Sequence, residues 1–138
     1  MGAKNMGLCL LGVAMSLLAT VTFAREPVES VATNFSHTIT NIPGKSLVAV
    51  EVTYPPGGAS LPHNHAKSAF IYAYVVSGAI ESQVGNQPAR IYKAGQSFHE
   101  EPGALHRISR NASKSEPAKL LAVFVVDSHD APLTNPEK

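Results

Sequence analysis

Short apolar runs separated by turn-forming residues make up most of the chain after residue 24. The clearest strand pattern is 47–54 (LVAVEVTY), and the longest uniformly apolar runs are 69–76 (AFIYAYVV) and 120–126 (LLAVFVV). Glycine and proline interrupt the chain at regular intervals, and no segment has a convincing helical period. About eight short strands at this spacing predict an all-β domain, either a sandwich or a small jelly-roll barrel.

The run 69–76 is apolar at odd and even positions alike. This pattern is typical of a strand that is buried on both faces. We therefore expect its aromatic side chains to pack in the core, as we do for Phe124 in the last strand, with Tyr72 or Tyr74 also a candidate to line the interior cavity.

Residues 1–24 have a different character from the rest of the chain. One charged residue, Lys4, precedes the uncharged run 6–23, and Thr22 and Ala24 supply two small residues at the end of that run. The arrangement predicts a signal peptide over 1–24 that is cleaved after Ala24, and hence a periplasmic or secreted protein without a membrane anchor. A retained anchor is the alternative, because a membrane-spanning helix needs roughly 20 apolar residues.

The remaining residues divide into three parts by composition. We expect a flexible arm at 25–36, a folded domain at 37–127 and a disordered tail at 128–138, which is polar and holds two prolines. Basic and acidic residues number 11 and 10 in the whole chain and are equal once Lys4 leaves with the leader. This balance excludes nucleic acid as the partner. The single cysteine lies in the leader, so a metal in the mature domain would be held by histidine and carboxylate.

Histidines are the candidate functional residues. His63 and His65 are two positions apart, so an extended backbone would point both imidazoles to the same side. The pair alone is a weak indication of a metal site, since paired histidines are also common on exposed faces.

Two spaced motifs around these histidines resemble those of the cupin superfamily. In the first motif a glycine stands five residues before His-x-His, and a second glycine follows a tyrosine-and-aliphatic strand. In the second motif two glycines precede a further histidine at the family's spacing. The matching residues are Gly57, His63, His65, Gly78, Gly95, Gly103 and His106. The resemblance implies a double-stranded β-helix (the RmlC-like jelly-roll barrel) as a single domain after the signal peptide, with His106 as third metal ligand.

The chain departs from the cupin pattern at the position of the metal-binding glutamate. Counting back from Gly78, that position holds Ile71, which cannot bind a cation. Glu100 stands where the second motif has an inward aliphatic residue, on the same parity as Phe98, so it is a candidate fourth ligand. The alternative is a bulge before Pro102 that turns Glu100 into solvent. His99, on the opposite parity, is expected at the surface.

The resemblance leaves the activity open. It implies one divalent transition metal, which the ligands alone do not identify among Fe, Zn, Ni, Cu and Mn. A metal-dependent enzyme, in particular a dioxygenase acting on a small molecule in the barrel cavity, is the first hypothesis. A non-catalytic protein that binds a small molecule or metal is the second, and a metal-free structural barrel is the third. Because cupins commonly dimerise, a homodimer is also compatible with the resemblance.

Overall fold

The computed structural model describes residues 28–137. The expected leader and its cleavage site, together with the first residues of the expected arm, lie outside this range. Residues 28–137 contain strands and no helix: β1 (Ser30–Thr38), β2 (Lys45–Tyr54), β3 (His63–His65), β4 (Phe70–Ser77), β5 (Ala79–Val84), β6 (Arg90–Lys93), β7 (Ser97–Glu100), β8 (Leu105–Asn111), β9 (Ala118–Asp127) and β10 (Thr134–Pro136). Nothing in this range has the helical length and apolar character of a membrane span.

The strands form two antiparallel five-stranded sheets. One sheet has the order β1-β2-β9-β4-β7, and the other has the order β10-β3-β8-β5-β6. Chain neighbours such as β3 and β4 lie in different sheets, which is the alternation of a jelly-roll barrel. The predicted all-β fold, a jelly-roll barrel of the double-stranded β-helix type, is therefore confirmed.

Apolar side chains between the sheets form a core in two parts. Ile71, Phe124 and Val126 belong to the first part, and Val75 and Ile80 belong to the second. The buried positions of β9 alternate strictly with half-buried ones, as expected for a strand with one face on the core.

The prediction that 69–76 is buried on both faces is wrong. In β4 only every second residue is buried, and Phe70, Tyr72 and Tyr74 are exposed on the outer face. Both faces of the strand carry apolar side chains, which suggested burial on both sides. However, nothing in residues 28–137 covers the outer face of this sheet. Phe124 is a core residue, as predicted.

Both ends of the domain are more ordered than the sequence indicated. From Ser30 onward the expected arm is strand β1, which pairs with β2 along its whole length. All nine residues of β1 are exposed, so backbone hydrogen bonds to β2 hold the strand in place. Its sequence therefore lacks the alternating apolar pattern by which a strand is predicted. The expected disordered tail contains β10, which pairs with β3, and its Leu133 packs against the core.

Candidate metal centre

Two neighbouring strands bring the three candidate histidines together. The segment 63–65 is extended, as predicted, and forms β3. This strand pairs with β8 so that His63 and His106 are direct cross-strand partners. Cross-strand partners in an antiparallel pair lie on the same face, and His65 shares that face because it is two residues from His63.

The imidazole nitrogens converge at one point inside the barrel. One nitrogen from each of His63, His65 and His106 lies within 4.8 Å of the other two. His106 is 3% exposed, while His63 and His65 are partly buried. Burial lowers the pKa of His63, so this imidazole favours its neutral, metal-binding form.

Glu100 points into the barrel beside these histidines. Its side chain alternates with that of His99 along β7, and both Glu100 and Phe98 are buried. One carboxylate oxygen, Oε1, lies 3.2 Å from His106 Nδ1, and the other, Oε2, lies 3.4 Å from His65 Nε2. The solvent-facing alternative for Glu100 is therefore wrong.

The Glu100 carboxylate is kept ionised by the histidines around it. Burial alone would raise its pKa, but contacts with His106 and His65 outweigh burial and lower the pKa to about 2. Its Oε2 is nevertheless buried without a hydrogen bond to any residue in 28–137, although it lies 3.4 Å from His65 Nε2. A buried carboxylate oxygen without a donor is costly unless a cation neutralises it.

The outer nitrogens of the histidines are hydrogen-bonded. His63 Nδ1 lies 2.7 Å from the carbonyl oxygen of Leu61, and His65 Nδ1 lies 3.1 Å from that of Leu133. His106 Nε2 lies 2.9 Å from the buried hydroxyl of Ser82. Sequence reasoning missed Leu133 and Ser82, because no local pattern identifies a residue that contacts a distant imidazole.

These observations fit a transition metal. Three imidazole nitrogens lie close together, their other nitrogens have hydrogen-bond partners, and a buried carboxylate oxygen 3.4 Å from His65 Nε2 has none. Hydrogen bonding of the outer nitrogen is the usual arrangement of histidines that bind metals. His63, His65, His106 and Glu100 would supply three nitrogens and a carboxylate, a donor set that suits Fe, Zn, Ni, Cu or Mn.

A largely apolar cavity of about 650 Å³ adjoins the histidine cluster. Its walls come mainly from strands β1, β2 and β9, with side chains such as Val31, Val52 and Leu120. Tyr54 also lines it, and its hydroxyl bonds to Ser60 and Ser109. Burial raises the pKa of Tyr54, so the phenol is neutral. The cavity volume is in the range of small-molecule sites.

His99 and Arg110 lie outside the histidine cluster. His99 is exposed, as predicted, and stacks on Phe70 with ring centroids 5.9 Å apart. Arg110 forms an ion pair with Glu81 at 2.7 Å near the surface. Ile71 is buried and carries no polar group toward the site.

Comparison with solved structures supports the same architecture. A conserved protein with a double-stranded β-helix domain from Klebsiella pneumoniae superimposes with TM-score 0.62 at 20% identity, over 90% of this chain and 100% of that one. The Cnp3 cupin domain of Schizosaccharomyces pombe gives TM-score 0.58 at 21% identity over 72% of this chain, which spans only 62% of the Cnp3 chain.

An enzyme is also among the similar structures. The DMSP lyase DddQ of Ruegeria pomeroyi gives TM-score 0.55 at 26% identity, over 67% of this chain and 45% of the lyase.

Comparison with the curated proteins finds no related sequence. The Cupin domain family matches residues 50–124, more than half of the chain and the segment that contains all three clustered histidines. The chain therefore belongs to the cupin domain family.

Proposed function

We propose that this protein is a metal-dependent cupin enzyme, oxygenase-like in its chemistry, that acts on a small molecule in the barrel cavity. The observation that carries the proposal is the Glu100 carboxylate, which is buried between His65 and His106 and has one oxygen without a hydrogen bond to residues 28–137. The histidines keep the carboxylate ionised, and its orphaned Oε2 is a buried acceptor that a divalent cation would satisfy.

The proposed ligands are His63, His65, His106 and Glu100. A metal held by these residues would supply Lewis-acid or redox chemistry. The apolar cavity walls would hold the apolar part of a substrate beside the metal site.

A metal-free structural barrel is less consistent with these contacts. That hypothesis rested on Ile71 at the position of the family's glutamate. Glu100 is the direct cross-strand partner of Ile71 and provides a carboxylate on the same face. Similarity to a DMSP lyase adds support for an enzyme, although the fold does not select the reaction.

Metal analysis of the purified protein tests the metal site. We expect about one transition metal per chain, lost on replacing His63, His65 or His106 with Ala, because each imidazole supplies one of about four protein bonds. His99→Ala is the matched control, since His99 is exposed and lies outside the cluster. Full metal content in the His106→Ala protein would refute the site.

Oxygen uptake tests the activity. Metal-loaded protein is assayed with a panel of diols and diketones, with the His106→Ala protein as blank. Uptake that depends on His106 supports an oxygenase. Stoichiometric metal without turnover of any panel member would favour the non-catalytic binding protein.

We also propose that the protein is exported and that its leader is removed after Ala24. The support is the sequence of residues 1–24, with its uncharged run and small residues before the charged segment. N-terminal sequencing of protein isolated from its host should begin at Arg25, and a chain that retains the leader would indicate an anchor.

A further inference from the structure

Glu29 has a buried carboxylate oxygen that lacks a partner. Within residues 28–137, two buried side-chain atoms have no hydrogen bond, Oε2 of Glu29 and Oε2 of Glu100. Both residues line the apolar cavity, and a β-bridge between Val28 and Ala59 holds the backbone of this segment at the cavity wall. The proposed metal centre accounts for Glu100, whereas no group of residues 28–137 satisfies Glu29 Oε2.

The cavity provides no basic side chain for Glu29. Glu29 takes part in none of the ion pairs formed within residues 28–137. No Lys or Arg is among the residues that line the cavity, and its three histidines form the metal centre. A buried carboxylate is stable where a cation or hydrogen-bond donors compensate its charge. A molecule that enters the cavity can supply this partner.

Other polar groups of the cavity wall are already engaged with one another. The Tyr54 hydroxyl bonds to Ser60 at 2.9 Å and to Ser109 at 2.7 Å. Burial raises the pKa of Tyr54, and the negative charges of Glu29 and Glu100 add to this effect, so the hydroxyl lies within electrostatic reach of both carboxylates. Glu29 therefore offers a ligand an acceptor that its neighbours do not use.

We propose that Glu29 determines substrate specificity by binding a protonated amine of the substrate. This inference rests on the proposed function, because it names the class of molecule that occupies the cavity. A hydroxyl would donate one hydrogen bond to the carboxylate, whereas an ammonium also compensates its charge. Side chains such as Val31, Val52 and Leu120 make the rest of the wall apolar. The substrate class is therefore an apolar molecule that carries a cationic amine.

Isothermal titration of the zinc-loaded protein with hexylamine and with hexanol tests the preference for charge. The two probes have the same chain length, and hexylamine is protonated at neutral pH because an alkylamine is as basic as a lysine side chain. Zinc at the histidines neutralises Glu100, so that carboxylate does not compete for the amine. The wild-type protein should bind hexylammonium at least about 10-fold more tightly than hexanol, the usual gain from a hydrogen bond to a charged group.

Variants assign the preference to Glu29. Glu29→Gln should bind the two probes about equally, with hexanol affinity and zinc content unchanged. Glu116→Gln is the matched control, because Glu116 is exposed and does not line the cavity, and it should keep the wild-type preference. Glu29→Lys reverses the charge, so it should bind hexanoate more tightly than the wild-type protein does.

Failure of this inference is distinguishable from failure of the proposed function. A wild-type protein without preference for the amine, or a Glu29→Gln protein that retains the preference, would overturn the inference and leave the metal centre intact. A wild-type protein that takes up no zinc would refute the proposed function. The same probes are then compared on metal-free protein, where loss of the preference in Glu29→Gln still supports the role of Glu29.

Discussion

Glu100 stands one strand away from the position where the family's motif has its metal-binding glutamate. That position holds Ile71 on β4, and Glu100 is its direct partner on β7. Partner side chains on antiparallel strands share a face and have Cβ atoms roughly 4.5–5.5 Å apart. A carboxylate can therefore reach the same histidines from either strand, and this chain combines an apolar side chain at 71 with an acidic one at 100.

Replacing Glu100 with Gln should weaken metal binding by at least about 10- to 100-fold, because the amide keeps the shape of the side chain but loses the charge. Titration of the metal-free protein with zinc measures the affinity. Glu101→Gln is the matched control, since Glu101 is the next residue and its side chain is 69% exposed. Unchanged affinity in Glu100→Gln would leave His63, His65 and His106 as the complete ligand set.

Because positions 71 and 100 are cross-strand partners, a glutamate at position 71 should partly replace Glu100 in metal binding. Ile71→Glu in the Glu100→Gln background should recover part of the lost zinc affinity, because the new carboxylate would approach the histidines from β4. Ile71 is 1% exposed and packs in the core, so the double variant should also unfold at a lower temperature than Glu100→Gln alone. Zinc titration and thermal unfolding of the two proteins separate these effects.

The low pKa of Glu100 predicts a pH dependence of stability in the metal-free protein. Its folded-state pKa of about 2 lies below the ordinary value of 4.5. The carboxylate therefore stabilises the fold above pH 4.5, and this contribution is lost as the pH falls toward 2. Urea unfolding between about pH 5 and pH 3 should show a larger loss of stability for the wild-type protein than for Glu100→Gln. Equal losses in the two proteins would contradict the assignment.

Among the strand connections, the tight junction between β4 and β5 depends on the absence of a side chain at Gly78. Its φ is +71°, and an added Cβ would lie 2.7 Å from the carbonyl oxygen of Pro117. Gly85 also has a positive φ, +55°, but a Cβ there would meet no atom within 4 Å. Gly78→Ala should therefore cost about 1–3 kcal/mol more than Gly85→Ala, the usual range for overpacking. Chemical denaturation of both variants measures the difference, and similar losses would contradict the steric argument.

The C-terminal strand β10 supports the metal centre as well as the fold. It pairs with β3, which carries His63 and His65, and the preceding Leu133 carbonyl accepts from His65 Nδ1 and from the backbone N–H of Ala66. A chain that ends at Asp130 should bind zinc roughly 10-fold or more weakly, because His65 loses the partner that fixes its tautomer. A chain that ends at Glu137 is the control, and equal zinc affinity of the two chains would refute the role of β10.

Element by element, the sequence predicted what is encoded in local patterns and missed what depends on distant partners. The alternation around Phe98 correctly placed Glu100 inside, and the extended 63–65 segment correctly placed two histidines on one face. Strands β1 and β10 were missed because neither has an apolar pattern, and both are held by hydrogen bonds to strands far along the chain. The contacts of Ser82 and Leu133 with the histidines arise only from tertiary packing.

At the scale of the whole molecule, the outer face of the β1-β2-β9-β4-β7 sheet carries a central apolar strip between two ion pairs, Lys45–Asp127 and Glu51–Lys119. One row of cross-strand partners runs over all five strands without a Lys, Arg, Asp or Glu: Phe35, Ala49, Val123, Tyr72 and His99. In the next row, Leu47, Val125 and Phe70 continue the apolar surface. Monomeric soluble proteins rarely expose contiguous apolar patches larger than a few hundred Å².

We expect a second copy of this chain to cover that face. A dimer axis through the sheet would bring the two uncharged rows together, and stable interfaces typically bury about 800 Å² per partner, which one broad sheet face can supply. Light scattering at micromolar concentration should give twice the mass of a single chain. Tyr72→Lys, near the centre of the face, should give the monomer mass, because it would bury an unpaired charge at the interface. Ile91→Lys is the matched control, since Ile91 is equally an exposed apolar residue but lies on β6 of the other sheet. A monomeric wild-type protein, or a Tyr72→Lys protein that remains dimeric, would exclude this interface.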